Sequence, residues 1–300
     1  MIAILGGLAT AVLWATTLIG SSRSARVIGA WSTLAWVMLV GLVVAIPLLV
    51  FSGGAVRLSD RDLLHLAVAG LANTCGLLLV YTALRRGKVA VVGPIVSTEG
   101  AIAATLAVLA GDPVSGAAIG VLAVIAVGVV MAATERTTGA PDLAGDAVVD
   151  EEVADADSPP FPNAGVTALF ALGGAVLFGV NLYVTSRLAT DLPLAWAVLP
   201  ARLAGVIGVT LPLFLSHRLR MTRPVVPLVV LVGCAEVAGV VTFGIGARES
   251  AAVTSVIASQ FAGIAAIAAF LLFGERLGRI QLAGVVVIAL GVAALAYLQA

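Results

Sequence analysis

The chain has 300 residues, 61% of them hydrophobic and only 11% charged, with a mean hydropathy of +1.16. A water-soluble domain of this length cannot be so apolar, and a formal net charge of +0 excludes the basic field that nucleic-acid binding needs. A lipid bilayer is the solvent that suits this composition.

Crossing about 30 Å of hydrocarbon takes roughly 20 apolar residues in a helix, because every backbone N–H and C=O must be bonded within the segment. About ten such stretches follow in order, at 2–20, 30–51, 63–84, 89–110, 114–134, 165–186, 194–215, 225–247, 251–273 and 280–299, with ends good to roughly 2–4 residues. The expected fold class is an all-α integral membrane protein. The first stretch has no basic residue ahead of it and reads as a span rather than a cleaved signal peptide. Links such as Arg85-Arg86-Gly87-Lys88 and His217-Arg218-Leu219-Arg220 are short and polar, which leaves little chain for a soluble domain. Cys75 and Cys234 fall inside predicted helices and read as small packing residues, not as a disulfide or metal site. Residues 135–163 are the long polar exception. They carry Asp142, Asp146, Asp150, Glu151, Glu152, Asp155 and Asp157, then Pro159-Pro160, and read as an acidic flexible linker between segments 1–134 and 164–300.

A shift of about 163–165 residues lays the second segment on the first, as an internal repeat requires. Ala11-Val12-Leu13-Trp14 falls on Ala175-Val176-Leu177-Phe178, Ala30-Trp31 on Ala195-Trp196, Pro47-Leu48 on Pro212-Leu213, and Gly111-Asp112 on Gly274-Glu275. With about five spans in each half, an odd number, the second half enters the membrane from the opposite side. Two five-helix inverted repeats are the expected architecture, and inverted repeats characterise secondary transporters with a site near the midplane.

Phe270-Leu271-Leu272-Phe273-Gly274-Glu275-Arg276-Leu277, followed by Gln281-Leu282-Ala283-Gly284 and Gly291, resembles the "lgErl…q..G…G" signature of EamA-type members of the drug/metabolite transporter superfamily. Arg202 resembles an arginine that many members carry in the second span of their second half. The first half departs from the pattern, with Gly111-Asp112-Pro113 in place of Gly-Glu-Arg and Glu99 near a position where members often have proline. The resemblance implies a multi-pass bundle in the cell membrane, with a central cavity lined by the first four helices of each half. It implies a small-molecule substrate, since members export amino acids, metabolites or drugs, or move nucleotide sugars.

Glu99, Arg202 and Glu236 fall deep inside predicted spans, where a charge costs roughly 2.5–3.5 kcal/mol on insertion scales and normally faces protein or water. Placed about eight and eleven residues into adjacent spans, Arg202 and Glu236 are expected to meet near the middle as an ion pair, with Glu99 as the competing partner. Glu99 is the candidate proton-coupling group. Asn73, Thr74, Ser97, Thr98, Asn181, Ser259 and Gln260 are polar groups at similar depth, and Trp14, Tyr81 and Tyr183 add stacking surface. Each is a candidate site residue, although an interhelical hydrogen bond explains any one of them alone. Ser97-Thr98 and Ser259-Gln260 occupy equivalent places in the two halves. Asp112 and Glu275 read instead as helix-end residues that compensate dipoles. Gly116, Gly120 and Gly128, with Gly284 and Gly291, mark the fifth and tenth helices as closely packed, within one chain or across a homodimer seam.

The resemblance puts both termini in the cytoplasm, whereas the basic residues at 23, 26, 85, 86, 88, 136, 218, 220, 223, 276 and 279, against those at 57, 61, 187 and 248, are expected on the opposite face and favour termini outside. No cofactor or metal is expected, and no His/Asp or Cys/His arrangement suggests an enzyme. A membrane-embedded scaffold and a membrane enzyme are the rival classes. No Walker motif accompanies the helices, so active transport would draw on an ion or solute gradient. Removing a few residues from 140–160 is expected to leave folded yield and transport nearly unchanged. Misfolding of such a deletion variant, read by size-exclusion chromatography, would contradict the linker reading.

Overall fold

The structure is a computed structural model that describes residues 1–51, 58–110, 116–133, 164–188, 193, 195–258, 260–274 and 277–298. The linker 135–163, Asp112, Ser259 and Glu275 lie outside the described residues. Everything regular among the described residues is helical.

The first helix, α1 (Ile2–Ile28), runs eight residues beyond its expected end at 20. Its polar tail is packing surface: Ser21, Ser22, Ser24 and Ala25 are all buried. Ser24 Oγ donates to the Gly20 carbonyl at 2.8 Å and Ser21 Oγ to that of Leu18 at 3.1 Å, so these hydroxyls never face hydrocarbon unbonded. Gly29, with φ of 83°, closes α1 in a conformation open to glycine and lets the chain reverse into α2 (Ala30–Phe51). A Ser59–Asp62 capping box starts α3 (Asp60–Arg86).

The expected fourth span, 89–110, is two helices, α4 (Val89–Val96) and α5 (Glu99–Leu109). Pro94 has no N–H to donate, and Ser97 and Thr98 turn their hydroxyls onto the carbonyls of Pro94 and Ile95 at 2.8 and 2.7 Å. The helix breaks there, which makes Glu99 the first residue of α5. After α6 (Gly116–Ala133) and α7 (Ala164–Leu188), the seventh span is also irregular. It passes from α8 (Ala195–Gly205) through a π-helical turn at Val206–Thr210 into α9 (Leu211–Leu215). Pro212 lacks the N–H that would bond the Gly208 carbonyl, and Thr210 Oγ1 reaches across to the Ala35 carbonyl at 2.9 Å.

Helical bonding continues through α10 (Val226–Ala258), where a break was expected near 248–250. The run nevertheless doubles back. A Cβ on Gly246 would stand 2.8 Å from Thr254 Oγ1, whereas eight residues of straight helix cover about 12 Å. Thr254 then bonds the Ala3 carbonyl at 3.3 Å, and Phe261, the first residue of α11 (Phe261–Phe273), packs on Trp14, so the returning chain runs alongside α1. Gly274 closes α11 with φ of 63°, and α12 (Arg279–Leu298) ends the described chain.

Among the described residues six helical segments are long and apolar enough to cross a membrane: Ile2–Ile28, Ala30–Val50, Asp60–Arg86, Gly165–Thr185, Val198–Leu215 and Arg223–Glu249. Four apolar helices are shorter, at Val89–Ala103, Ala123–Ala132, Phe261–Phe273 and Arg279–Ala294. Large apolar side chains such as Val43, Leu271, Leu272 and Leu290 face outward, as lipid contact requires. This is a multi-pass membrane protein.

In packing, α1 lies on α10 and α3 on α7, α2 crosses α10 and α8 crosses α3, α4 meets α11, and α6 meets α12. The last contact is among the tightest, since a Cβ on Gly284 would fall 2.7 Å from the Gly128 carbonyl oxygen. The glycines at 128, 284 and 291 thus serve packing within one chain, while Gly116 and Gly120 face open space. Gly284→Val is expected to cost about 1–3 kcal/mol by overpacking, read as a lower midpoint of thermal unfolding in detergent, with Gly120→Val as the control that leaves it unchanged. Equal midpoints for the two variants would contradict the α6–α12 packing.

Candidate functional site

A cavity of about 560 Å³ occupies the centre of the bundle. Helical spacing supplies its walls: Trp14, Thr17, Leu18 and Ser21 form one face of α1, and Phe178, Asn181, Leu182 and Thr185 one face of α7. Leu66, Gly70, Asn73, Leu77 and Tyr81 do the same for α3, with Glu236, Val240, Phe243 and Ala247 on α10. One end is closed, because Leu18, Ser21, Val80, Tyr81 and Val96 are all buried. The other end, marked by half-buried Pro193 and Trp196 and exposed Arg248, is open. The opening lies on the face where the chain begins.

The walls are mainly apolar and aromatic. Trp14 stacks on Phe243 at 5.9 Å between centroids and 22° between planes, and meets Phe261 edge-on at 5.9 Å and 89°. Gly239 makes room for this group, since a Cβ there would stand 2.5 Å from Trp14 Nε1.

Three intramembrane charges reach the cavity, in two different conditions. Arg202 and Glu236 form a bidentate pair, with Nη1 donating to Oε2 at 3.1 Å and Nη2 to Oε1 at 2.6 Å. The guanidinium is 1% exposed and Glu236 6%. Its Nη1 also touches Met38 Sδ at 3.5 Å, and the stem lies on Gly41, where a Cβ would come within 2.9 Å of Arg202 Cδ. Two buried polar atoms near this pair have no partner, Arg202 Nε and the Tyr81 hydroxyl. Tyr81 stands within electrostatic range of both charges. Glu99 differs: it lines the cavity at the broken span, and among the described residues its side chain makes no hydrogen bond or ion pair.

Of the residues singled out in the sequence, Glu99, Arg202, Glu236, Asn73, Asn181, Trp14 and Tyr81 line this one cavity. The others are elsewhere. Thr74 bonds the Gly70 and Ala201 carbonyls at 2.9 and 3.1 Å and joins α3 to α8, and Ser97 and Thr98 bond their own turn. Tyr183 packs beside Leu66, Ala69 and Val184, and Gln260 is exposed at the start of α11. The lining also includes Thr17, Ser21, Phe178, Thr185, Trp196, Phe243, Arg248 and Phe261, which sequence reasoning passed over. For Thr17, Ser21 and Thr185 the signal was the spacing of three and seven residues from Trp14 and of seven from Phe178. Among the described residues no group of His, Cys, Asp and Glu could hold a metal ion.

Residues 1–134 match the EamA-like transporter family. The first segment of the chain is therefore similar to EamA-type proteins. No curated protein matches the chain. A solved structure described as "Crystal structure of protein" is similar over 99% of this chain and 97% of its own, with a TM-score of 0.64 and 20% identity. That likeness shows the fold and extends it over the second half.

The central cavity therefore holds one neutralised pair and one lone carboxylate. Removing either partner of the pair strands a buried charge, so Arg202→Met or Glu236→Met alone is expected to cost about 3–5 kcal/mol, and the double variant to recover much of it. Folded yield and thermal midpoint in a double-mutant cycle read this. Additive losses would show that the two residues do not stabilise one another.

Proposed function

We propose that this protein is a secondary transporter that carries a small metabolite or drug out of the cell in exchange for protons, by alternating access to the central cavity. The observation that carries the reading is the aromatic cavity, closed at one end, with Glu99 unpaired inside it. Burying a carboxylate without a partner is costly, and such a group in a membrane protein is retained where a proton or solute visits it.

Helix packing supports two inverted five-helix repeats, 1–134 and 164–300, joined by the linker. If α1 corresponds to α7 and α3 to α10, then α1 on α10 mirrors α7 on α3, and α2 on α10 mirrors α8 on α3. The contacts of α4 with α11 and of α6 with α12 each map onto themselves. On this reading the four shorter apolar helices complete ten spans. Pro94 interrupts the fourth of these spans.

The closed end supplies the second half of the cycle. There Arg26 Nη2 donates to the Gly87 carbonyl at 2.9 Å and Nε to that of Leu84 at 3.3 Å, tying α1 to the last turn of α3. Opening that end breaks these bonds, and the repeat symmetry closes the other end by the equivalent movement. Glu99 releases its proton when substrate loads and takes it back when substrate leaves, so the two alternate on one carboxylate. The Arg202–Glu236 pair contributes no net charge to this exchange and holds α8 against α10.

Glu99→Gln is expected to abolish flux driven by a pH gradient in proteoliposomes while folded yield stays at the unsubstituted level. An unaltered response to the gradient would refute the coupling role.

A further inference from the structure

Glu99 and the Arg202–Glu236 pair lie at about one level of the central cavity, and three contacts fix that level. Thr74 on α3 bonds the carbonyl of Ala201, beside Arg202, at 3.1 Å. Two residues along α3, a Cβ on Gly76 would stand 2.7 Å from Phe178 of α7. The next residue of α7, Gly179, lies against the start of α5, where a Cβ would come within 3.0 Å of the Glu99 carbonyl oxygen. Gly239, which makes room for Trp14, is three residues past Glu236 on α10, about 4.5 Å toward the mouth at 1.5 Å per residue. The rings of Trp14, Phe243 and Phe178 therefore border the same part of the cavity as the carboxylate.

Charge then selects the solute. Arg202 commits both terminal nitrogens to Glu236, so the pair is neutral and attracts no carboxylate. Among the described residues the other cation of the lining is Arg248, exposed at the mouth and twelve residues past Glu236, about 18 Å along α10. A carboxylate carried on the carbon next to an amine cannot reach that arginine while the amine rests on Glu99. We propose that the cavity takes a monovalent organic cation, an amine on a flat apolar body with no carboxylate of its own. The ammonium gives Glu99 the partner it lacks within the chain, which offsets the cost of a buried unpaired carboxylate. The apolar body lies on Trp14, Phe243 and Phe178, whose ring faces also attract the charge. A volume of about 560 Å³ suits a solute of one or two fused rings with its amine. This names the solute class of the transport reading and rests on it for the statement that the bound cation is carried, whereas binding follows from the cavity alone.

The test titrates the full chain in detergent with four probes that share one ring system, at constant pH and with protein-free micelles subtracted. Naphthylmethylammonium is the cation, naphthylmethanol its neutral counterpart, naphthoate the anion and naphthylalanine the zwitterion. Calorimetry is expected to show the ammonium binding on the order of tenfold more tightly than the alcohol or the zwitterion, with naphthoate weakest. Glu99→Gln should bring the ammonium down to the level of the alcohol, whereas Phe243→Leu should weaken both by about threefold. The ranking of the four probes on the unsubstituted protein needs no variant to fold. Naphthylalanine or naphthoate binding as tightly as the ammonium would overturn the proposal, as would equal binding of the ammonium by Glu99→Gln or no saturable binding of it up to millimolar concentration. Flux of naphthylmethylammonium in proteoliposomes separates the two readings. Binding that depends on Glu99 without flux would keep the solute class and remove transport, and flux of naphthoate through a cavity that excludes the ammonium would keep transport and overturn the class.

Discussion

A guanidinium placed in the hydrocarbon of a bilayer must find a carboxylate, and the pairing of Arg202 with Glu236 is the constraint around which the centre of this protein is arranged. The pair fixes α8 against α10 with two parallel charge-assisted bonds. It also dictates its neighbours. Gly41 is small because the arginine stem lies on it, Met38 offers a soft sulfur at contact distance, and Tyr81 closes the cavity beside it. A buried ion pair adds little net stability over well-packed apolar residues, so its presence here is better explained by position. It holds two helices of the second half in register while leaving Arg202 Nε and the Tyr81 hydroxyl without partners next to an open space.

The lone carboxylate is the counterpart of that pair. Glu99 begins α5 because Pro94 and the back-bonding of Ser97 and Thr98 end α4, so the chain breaks its own helix to present the group. A broken span is tolerated in a membrane only where protein or water satisfies the freed backbone, and the hydroxyls of Ser97 and Thr98 do part of this. The same residues that seemed suited to bind a solute therefore serve to place the one that lines the cavity.

Much of this was legible in the chain because hydrocarbon makes departures conspicuous. An arginine or glutamate inside twenty apolar residues has few physical excuses, and all three such residues reach the cavity. Hydroxyls are different: Thr74, Ser97 and Thr98 look the same in sequence whether they face a solute or bond a backbone carbonyl, and the structure gives all three to carbonyls. The tail of α1 was misjudged for the same reason, since serines that read as a link are buried packing. Aromatic residues such as Phe178 and Phe243 were passed over because a ring in an apolar helix is ordinary. Only the face shared with Trp14 or Asn181 distinguishes them.

The central claim is that solute crosses through this cavity, and blocking the cavity tests it most directly. With Cys75 and Cys234 replaced, Asn181→Cys places a single thiol on the wall. A screen of candidate amino acids, metabolites and cationic drugs in proteoliposomes identifies a transported solute, and its flux is then measured before and after complete labelling with a bulky thiol reagent. The account predicts that labelling abolishes flux and that solute slows the labelling. Full flux through a completely labelled protein would contradict it.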